Sequence, residues 1–309
     1  MANVARYALG RLLLSIPTLI GVTILVFLMI HFLPGDPAFF LAPPEATLEE
    51  VERIRKSLGL DRPLYEQYVT FITNVLKGEF GKSIITGHKV SELLWPAYMN
   101  TLILSVFAIS ISIILGISLG VLASLNPNTL LDQTVMSVSL IGVSMPVFWL
   151  GLLLIELFAV KLRLLPAGGS GSPAHLILPS LTLGILGSAY IARVTRASML
   201  EVLNRDYVRT ARAFGLPEWR VILVYSLRNA LIPVITVAGL IFGYMMAGAV
   251  LTESVFAYPG LGRLIVNSIF ARDYPVVQAG LLVISITFVL VNIGVDVLYA
   301  FLNPKVELR

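Results

Sequence analysis

Six long apolar stretches are the feature that most constrains the fold of this chain. The first covers residues 12–33, and the others cover roughly 99–125, 132–160, 175–198, 229–254 and 276–302. A helix needs about 20 apolar residues to cross the hydrocarbon core of a bilayer, and each stretch is long enough. Only 13% of the 309 residues are charged, too few to cover the surface of a soluble domain. The sequence therefore predicts an all-α integral membrane protein with six transmembrane helices, here called spans one to six.

The predicted organisation has four parts. Residues 1–34 form an uncleaved transmembrane helix, because the apolar run is too long for a signal peptide. Charged residues gather in 35–97, which predicts a small helical insertion outside the bilayer. Residues 98–303 form a five-helix core that contains the loop 199–228, and residues 304–309 form a short tail.

Two local signals predict helices within the insertion. Thr47 and Glu50 have the spacing of a capping box, and Gly59 is a plausible stop for the helix that follows. Pro63 suits the first turn of a second helix.

The distribution of basic residues predicts the orientation. With the N-terminus in the cytoplasm, the cytoplasmic segments carry more Lys and Arg than the two short outer loops, as the positive-inside rule requires. Both termini are then cytoplasmic. The net charge is +4, and we expect the basic residues in the loops to set the orientation of the chain in the membrane. The sequence lacks the alternation of aromatic and basic residues that would indicate nucleic-acid binding.

The cysteine and histidine content argues against a metal site. There is no cysteine, and His31, His88 and His175 are far apart with no ligand spacing. We expect no metal and no cofactor on this chain.

The loop between spans four and five carries the most specific local pattern. Asp206 is expected to cap a short helix over 207–214, and Gly215 supplies a left-handed stop. Pro217 then opens a second helix that leads into span five.

One face of this short helix is expected to bind something outside the chain. Tyr207, Ala211 and Phe214 fall on one side, and the arginines lie elsewhere around the helix. Physical reasoning alone leaves two interpretations open. The face could enter a groove of a cytoplasmic partner, or the helix could lie on anionic membrane lipid.

A family resemblance decides between these interpretations. The segment 206–215 (DYVRTARAFG) resembles the cytoplasmic "EAA" loop of ABC importer permeases, and is most similar to that of the dipeptide/oligopeptide permease family. Further segments resemble the same family in the same order along the chain: 33–37 (LPGDP), 58–63 (LGLDRP), 228–233 (RNALIP), 252–256 (TESVF), 259–263 (PGLGR) and 272–278 (RDYPVVQ).

The chain departs from the general family pattern at four positions. Arg209 and Thr210 stand where the pattern begins with Glu and Ala, and Arg228 stands where a proline is usual. These differences favour the peptide branch. Phe214 replaces a frequent lysine, which alters the expected docking surface.

The resemblance implies a division of labour among several chains. This subunit would form half of a pore with a second homologous permease subunit, driven by two cytoplasmic ABC ATPase subunits and supplied by an extracytoplasmic substrate-binding protein. ATP and Mg²⁺ would bind the ATPases, and this chain would not itself be an enzyme. Its location would be a prokaryotic cytoplasmic (inner) membrane. The substrate class would be dipeptides, oligopeptides or a related solute such as glutathione, a nickel chelate or an oligosaccharide.

The same resemblance assigns the residues that couple the permease to its ATPases. The coupling helix would be seated in a groove of one ATPase, where arginines steer docking and a glycine permits the tight turn. The implied coupling residues are Asp206, Tyr207, Arg209, Thr210, Ala211, Arg212, Phe214 and Gly215.

Polar groups near the spans define further candidates and one rival function. Glu253, with Pro259 and Gly260, is a candidate for an outer gate or pore lining, whereas Glu156 and Asp296 are expected to be structural acids near the interface, paired or solvated. The rival hypothesis is a stand-alone secondary carrier that moves protons through these three acids. The segment 81–83 (GKS) lacks the upstream glycine of a phosphate-binding loop, so it does not predict an ATP site.

Overall fold

The structure is a computed structural model that describes residues 2–31, 38, 46–57 and 59–302. The predicted features at 33–37, at Leu58 and in the tail 304–309 lie outside the described residues. The helices of the first half are α1 (Ala2–His31), α2 (Leu48–Ser57), α3 (Leu64–Leu76), α4 (Val90–Leu125), α5 (Leu130–Ser144), and α6 (Val147–Leu154), which continues as a π-helical segment, Ile155–Lys161. The second half contains α7 (Ala174–Leu203), α8 (Asp206–Ala213), α9 (Glu218–Arg220), a π-helical segment (Val221–Leu227), α10 (Arg228–Gly248), α11 (Val250–Val255), α12 (Leu261–Phe270) and α13 (Tyr274–Leu302).

The membrane-spanning helices confirm the predicted fold class. Within the described residues, five helices are long and apolar enough to cross a bilayer, and a bent pair of helices makes a sixth span. No strand is present in the described part of the chain beyond an isolated bridge between Lys82 and Lys89.

Span three is broken rather than kinked. The axes of α5 and of the helix that starts at Val147 meet at 105°. Met145 and Pro146 are both extended, with ψ near 130°. A residue before proline is driven out of the α region, so the helix stops at Ser144 and restarts after the proline. The reorientation is much larger than the kink that a proline ordinarily introduces into a helix.

The two ends of span three nevertheless lie on opposite sides of the bundle. Asp132, in the first turn of α5, pairs with Arg196 near the end of α7. After span three, the backbone N–H of Gly169 donates to the carbonyl of Phe256 at 2.7 Å, beside the start of α7. The bent pair therefore crosses once. We call the side with residues 204–217 the loop side, and the side with residues 46–89 the insertion side.

Span five differs at both ends from the predicted stretch 229–254. Its helix begins at Glu218, runs through the π-helical segment and ends at Gly248, and α11 follows separately. The charged residues between Glu218 and Arg228 lower the local hydropathy, so an apolar window begins too late. At the other end, apolar residues continue past the break at Ala249.

Close helix packing holds the core together at glycines. A Cβ on Gly116 would lie 2.6 Å from the Ile191 side chain, and one on Gly120 would lie 2.6 Å from the Ala192 carbonyl oxygen. The α4–α7 interface is thus closed around small residues, which lets the backbones approach. On α10, a Cβ on Gly239 would lie 2.1 Å from Val295 of α13.

The insertion forms the helices that its sequence signals predict. The Thr47 backbone N–H donates to Glu50 at 2.8 Å and the Glu50 N–H donates to the Thr47 hydroxyl at 3.3 Å, which completes the capping box. The first of these bonds lowers the pKa of the Glu50 carboxyl. Helix α3 packs on span one, where Phe27 contacts Tyr68 and Phe71 with ring centroids 5.4 and 5.7 Å apart.

A buried polar contact joins the insertion to the core. The Ser83 hydroxyl donates to the Asp273 carboxylate at 2.5 Å, and the Ile84 N–H donates to the same carboxylate at 3.1 Å. Ser83 and Asp273 are both buried. The segment 81–83 therefore lies in a bridged turn that contacts the start of span six, and it does not lead into a helix as a phosphate-binding loop does.

Candidate functional site

The short loop helix α8 begins one residue earlier than expected and has a different cap. Arg205 occupies the N-cap position and makes no side-chain capping bond, and Asp206 is the first helical residue. The prediction that Asp206 caps the helix is therefore wrong. Its carboxylate is solvent-exposed and lies 3.9 Å from Arg209, where it still opposes the positive end of the helix dipole.

The C-terminal end of α8 agrees with the sequence prediction. Gly215 has φ +74°, a conformation that L side chains rarely adopt, and its N–H donates to the Arg212 carbonyl at 2.9 Å. The Leu216 N–H donates to the Ala211 carbonyl at 3.3 Å. Pro217 then occupies the N-cap position of α9. The chain reverses tightly here and passes directly into span five.

The inner face of α8 is anchored to the ends of spans four and five. Val208 and Ala211 are buried against Val221, and the cluster is completed by Val202, Leu203 and Leu216. Ala211 was predicted to share an exposed face with Tyr207 and Phe214, and that prediction is wrong. Val208 was not singled out from the sequence, although its spacing of three residues from Ala211 was the available signal.

The outer face of α8 is open. The exposed fraction is 42% for Tyr207 and 80% for Phe214. The Thr210 hydroxyl donates a hydrogen bond to the Asp206 carbonyl at 3.0 Å. Within the part of the chain that the structure describes, Phe214 is largely uncovered and Tyr207 is partly uncovered. The open face is therefore apolar at its edges and polar between them, which suits a protein groove.

The arginines of this loop are held by neighbouring acids. Arg212 binds Glu218 at 2.6 Å, which links α8 to the start of span five, and this hydrogen bond raises the pKa of Arg212. Arg205 forms an ion pair with Glu201 one turn earlier. Both pairs tie the loop to the two spans that flank it.

On the insertion side, Glu253 is the centre of a buried hydrogen-bond network. Its exposed fraction is 0%. The Thr101 hydroxyl donates to one carboxylate oxygen at 2.5 Å, and the Arg263 backbone N–H donates to the other at 2.9 Å. The Leu261 N–H in turn donates to the Thr101 hydroxyl oxygen at 2.8 Å. The network joins span two, α11 and α12.

The candidates Pro259 and Gly260 lie around the same carboxylate. A Cβ on Gly260 would lie 2.1 Å from a Glu253 oxygen, so only glycine allows this approach. The Pro259 carbonyl accepts a hydrogen bond from Asn100 at 2.9 Å. The structure thus brings the three candidates together, with the carboxylate turned inward. Any gating role, which stays a prediction, would act through the loop that Glu253 holds.

The other intramembrane acids have cationic partners. Glu156 lies 3.6 Å from Lys161, and Asp296 lies 3.2 Å from Arg11, as expected for structural acids. The described residues contain no group of three or more His, Asp or Glu side chains that could hold a metal ion. The three acids of the proton-carrier hypothesis all have partners: Glu156 and Asp296 form ion pairs, and Glu253 accepts hydrogen bonds.

A buried ion pair with two hydrogen bonds was missed by sequence reasoning. Asp132 accepts two hydrogen bonds from Arg196, from Nε at 2.5 Å and from Nη2 at 2.6 Å, and a third from the Asn128 N–H at 2.9 Å. Asp132 is buried. The two side chains are 64 residues apart, so no local pattern indicated that they meet.

Comparison with known families identifies the kind of protein. A family model described as "Binding-protein-dependent transport system inner membrane component" matches residues 116–308. The chain belongs to this family. A model described as the N-terminal part of a binding-protein-dependent transport system membrane component matches residues 4–104 of the permease.

Individual relatives extend the match over nearly the whole permease. It is 46% identical over 304 residues to the "Glutathione transport system permease protein GsiC" of Escherichia coli (strain K12), with 98% of this chain and 99% of the relative covered. The protein of that name from Shigella dysenteriae serotype 1 (strain Sd197) matches to the same extent. The permease is thus an ABC importer subunit of the peptide/oligopeptide type, a multi-pass membrane protein and a transport component.

A solved structure supports the fold. The chain of "Crystal structure of an amino acid ABC transporter with histidines" superposes with a TM-score of 0.51 at 17% sequence identity. The match covers 70% of this permease and 95% of that chain. The two share the arrangement of helices.

Proposed function

We propose that this permease forms half of the translocation pathway of an ATP-driven importer for short peptides or a peptide-like solute, glutathione included. The relatives that carry the name of a glutathione permease support the substrate class, because their similarity extends over nearly all of both chains. The second half of the pathway would come from a homologous permease subunit.

The observation that carries the proposal is the two-sided construction of α8. Val208 and Ala211 fix the inner face to spans four and five, and Tyr207 and Phe214 leave the outer face open. A helix attached only by its loops would move without moving the spans. This helix is packed and ion-paired to the spans, so a force on its outer face reaches them directly.

In this mechanism, ATP-driven closure of two cytoplasmic ATPases moves α8. Because Arg212 is bound to Glu218 at the start of span five, and Val208 packs on Val221, the motion tilts spans four and five together. The spans then exchange between two packed arrangements, open to one side or the other, and the partner's nucleotide state sets which is favoured.

The remaining components follow from this assignment. The loop side faces the cytoplasm of a prokaryotic cell, with both termini inside, and the insertion side receives an extracytoplasmic substrate-binding protein. ATP and Mg²⁺ bind the ATPases, and this chain contributes no catalytic residue. Membrane lipid surrounds the spans, and nucleic acid is not a partner.

The test is purification of the tagged permease in mild detergent with every accompanying chain identified. We expect a second six-span permease and Walker-motif ATPases, and ATP-dependent peptide uptake after reconstitution with the binding protein. Recovery of this chain alone, with uptake that a proton uncoupler abolishes, would establish the carrier hypothesis instead.

Two variants test the role of α8 within that complex. Tyr207→Ala combined with Phe214→Ala is expected to lower the amount of co-purified ATPase at unchanged membrane abundance, because both side chains are exposed. Phe270→Ala is the matched control, since this phenylalanine is 84% exposed on the insertion side. Unchanged ATPase recovery with the double variant would contradict the proposed coupling role.

A further inference from the structure

Helix α7 is the most enclosed span, yet one strip of it is uncovered. It packs against α4, α5, α6 and α10, and more than half of its apolar window is buried. Tyr190, Arg193 and Ala197 remain exposed on one side. These residues, with Val194 and Ser198, line an open recess of about 440 Å³. The strip continues toward the loop side of the bundle.

Arg193 lies at membrane depth without a partner among the described residues. Helix α7 is about 45 Å long, and a hydrocarbon core of about 30 Å centred on it extends from about residue 179 to about residue 198. Arg196 lies within this range too, but Asp132 neutralises it. Arg193 forms no ion pair or hydrogen bond with any residue that the structure describes. An arginine at this depth ordinarily faces the bundle interior or water.

Escape of the Arg193 side chain to the nearer membrane surface is opposed by the direction of the helix. The nearer end of α7 is its C-terminal, loop-side end. Side chains of a helix lean toward its N-terminus, so the Arg193 stem leans toward the bilayer centre. Arg228 shows the contrast: it lies at a similar depth on span five, which begins on the loop side, so its stem leans toward the nearer surface.

The chemistry of the recess selects an anion. The guanidinium of Arg193 and the hydroxyl of Tyr190, 47% exposed, have no hydrogen-bond partner among the described residues. Ser198 adds a further hydroxyl, and Ala197 leaves space beside the arginine. None of the described residues that line the recess is acidic. An arginine with a phenol beside it fits a planar carboxylate, which accepts two parallel hydrogen bonds from a guanidinium.

We infer that this recess is a point on the translocation pathway where Arg193 and Tyr190 bind a carboxylate of the solute in transit. The inference rests on the proposed function, since every unmodified peptide carries a carboxylate. The solute would meet Arg193 after leaving the binding protein, and Tyr190 would orient the carboxylate toward the guanidinium.

The absence of cysteine from the sequence makes a direct test possible. Ala197→Cys places a single thiol in this subunit, one turn from Arg193, and the variant is assayed in the complete importer. Its rates of modification by an anionic and by a cationic methanethiosulfonate reagent are each normalised to those of Phe270→Cys on the insertion side. The positive charge of Arg193, about 6 Å away, attracts the anionic reagent and repels the cationic one. We therefore expect the normalised modification rate to be about tenfold higher for the anionic reagent than for the cationic one. Arg193→Gln should remove this preference at Ala197→Cys and leave Phe270→Cys unchanged.

Protection by substrate identifies the ligand. Whichever of trialanine and S-methylglutathione the wild-type complex imports should slow modification of Ala197→Cys, while its carboxyl ester should not. Tyr190→Phe, which keeps the ring, should weaken the protection, and it serves as the deciding variant if Arg193→Gln fails to assemble.

The outcomes separate this inference from the function on which it rests. ATP-driven import of neither peptide would contradict the proposed function and the inference together. Import with an unreactive thiol would show that the partner permease or lipid covers the recess. Import with a reactive thiol but no charge preference, or with no carboxylate-dependent protection, would also overturn the inference and leave the importer intact.

Discussion

A methyl group added to Gly120 tests whether close approach of helices α4 and α7 holds the core together. The added Cβ would lie 2.6 Å from the backbone oxygen of Ala192 and 2.6 Å from the Thr195 Cβ. Neither atom can rotate away, because one is backbone and the other is fixed to it. The two helices must therefore separate by roughly 0.8 Å to restore ordinary contact, and such a gap forfeits about a quarter to a half of the dispersion energy along the seam.

The expected cost follows from two opposing terms. Overpacking of a close-packed core costs about 1–3 kcal/mol, and the rigid backbone partner puts Gly120→Ala toward the upper end. Replacing glycine by alanine in a helix gains about 0.4–1 kcal/mol through the unfolded chain. We expect Gly120→Ala to lower the free energy of unfolding by about 2 kcal/mol.

Gly294→Ala is the matched control for this experiment. Gly294 also lies in a membrane-spanning helix, but a Cβ there meets nothing within 4 Å. It should keep or slightly raise stability. The free energies are measured by titrating the detergent-solubilised chain with sodium dodecyl sulfate and following helical content by circular dichroism. Equal free energies for the two variants, within about 0.5 kcal/mol, would refute the packing argument.

Three further predictions concern the polar and apolar contacts that connect the spans. Asp132→Ala should cost about 3–5 kcal/mol in the same unfolding assay because Arg196 is left unpaired, and the double variant with Arg196→Met should cost less than Asp132→Ala alone. Glu253→Ala should cost about 1–3 kcal/mol for each donor left without its acceptor, and hydrogen exchange should accelerate at the Arg263 amide, whereas unchanged exchange would contradict the network. Val208→Asp should abolish stimulation of the ATPases by the loaded binding protein at unchanged membrane abundance, because it buries a charge under α8, while Val208→Ile should preserve stimulation.

Much of the fold followed from local patterns in the sequence. Each span is specified by its own run of apolar residues, and the capping box at Thr47 and the left-handed turn at Gly215 depend on residues within a few positions of each other. Such features depend only on residues close together in the sequence, so they can be predicted without a structure.

The features that sequence reasoning missed depend on what lies across the fold. The pairing of Asp132 with Arg196 requires the relative height of two helices, which no local pattern specifies. The inward position of Ala211 was missed because a small residue is compatible with either face of α8. Its burial depends on packing against Val221, which lies on another segment. The size of the bend at Met145 depends on how α6 packs after the break, and proline alone fixes only its place.

The contact between Ser83 and Asp273 has a consequence for how the subunit is completed. The two residues are 190 positions apart, and the chain is synthesised from its N-terminus. The insertion emerges early and can form its helices, but its anchor becomes available only when the start of span six has been made. A chain that ends before span six would therefore expose the Ser83 turn and leave the insertion unanchored. The last helix to be inserted thus anchors an insertion that is translated directly after span one, and proteolytic sensitivity of the 81–89 turn reports whether the whole subunit has assembled.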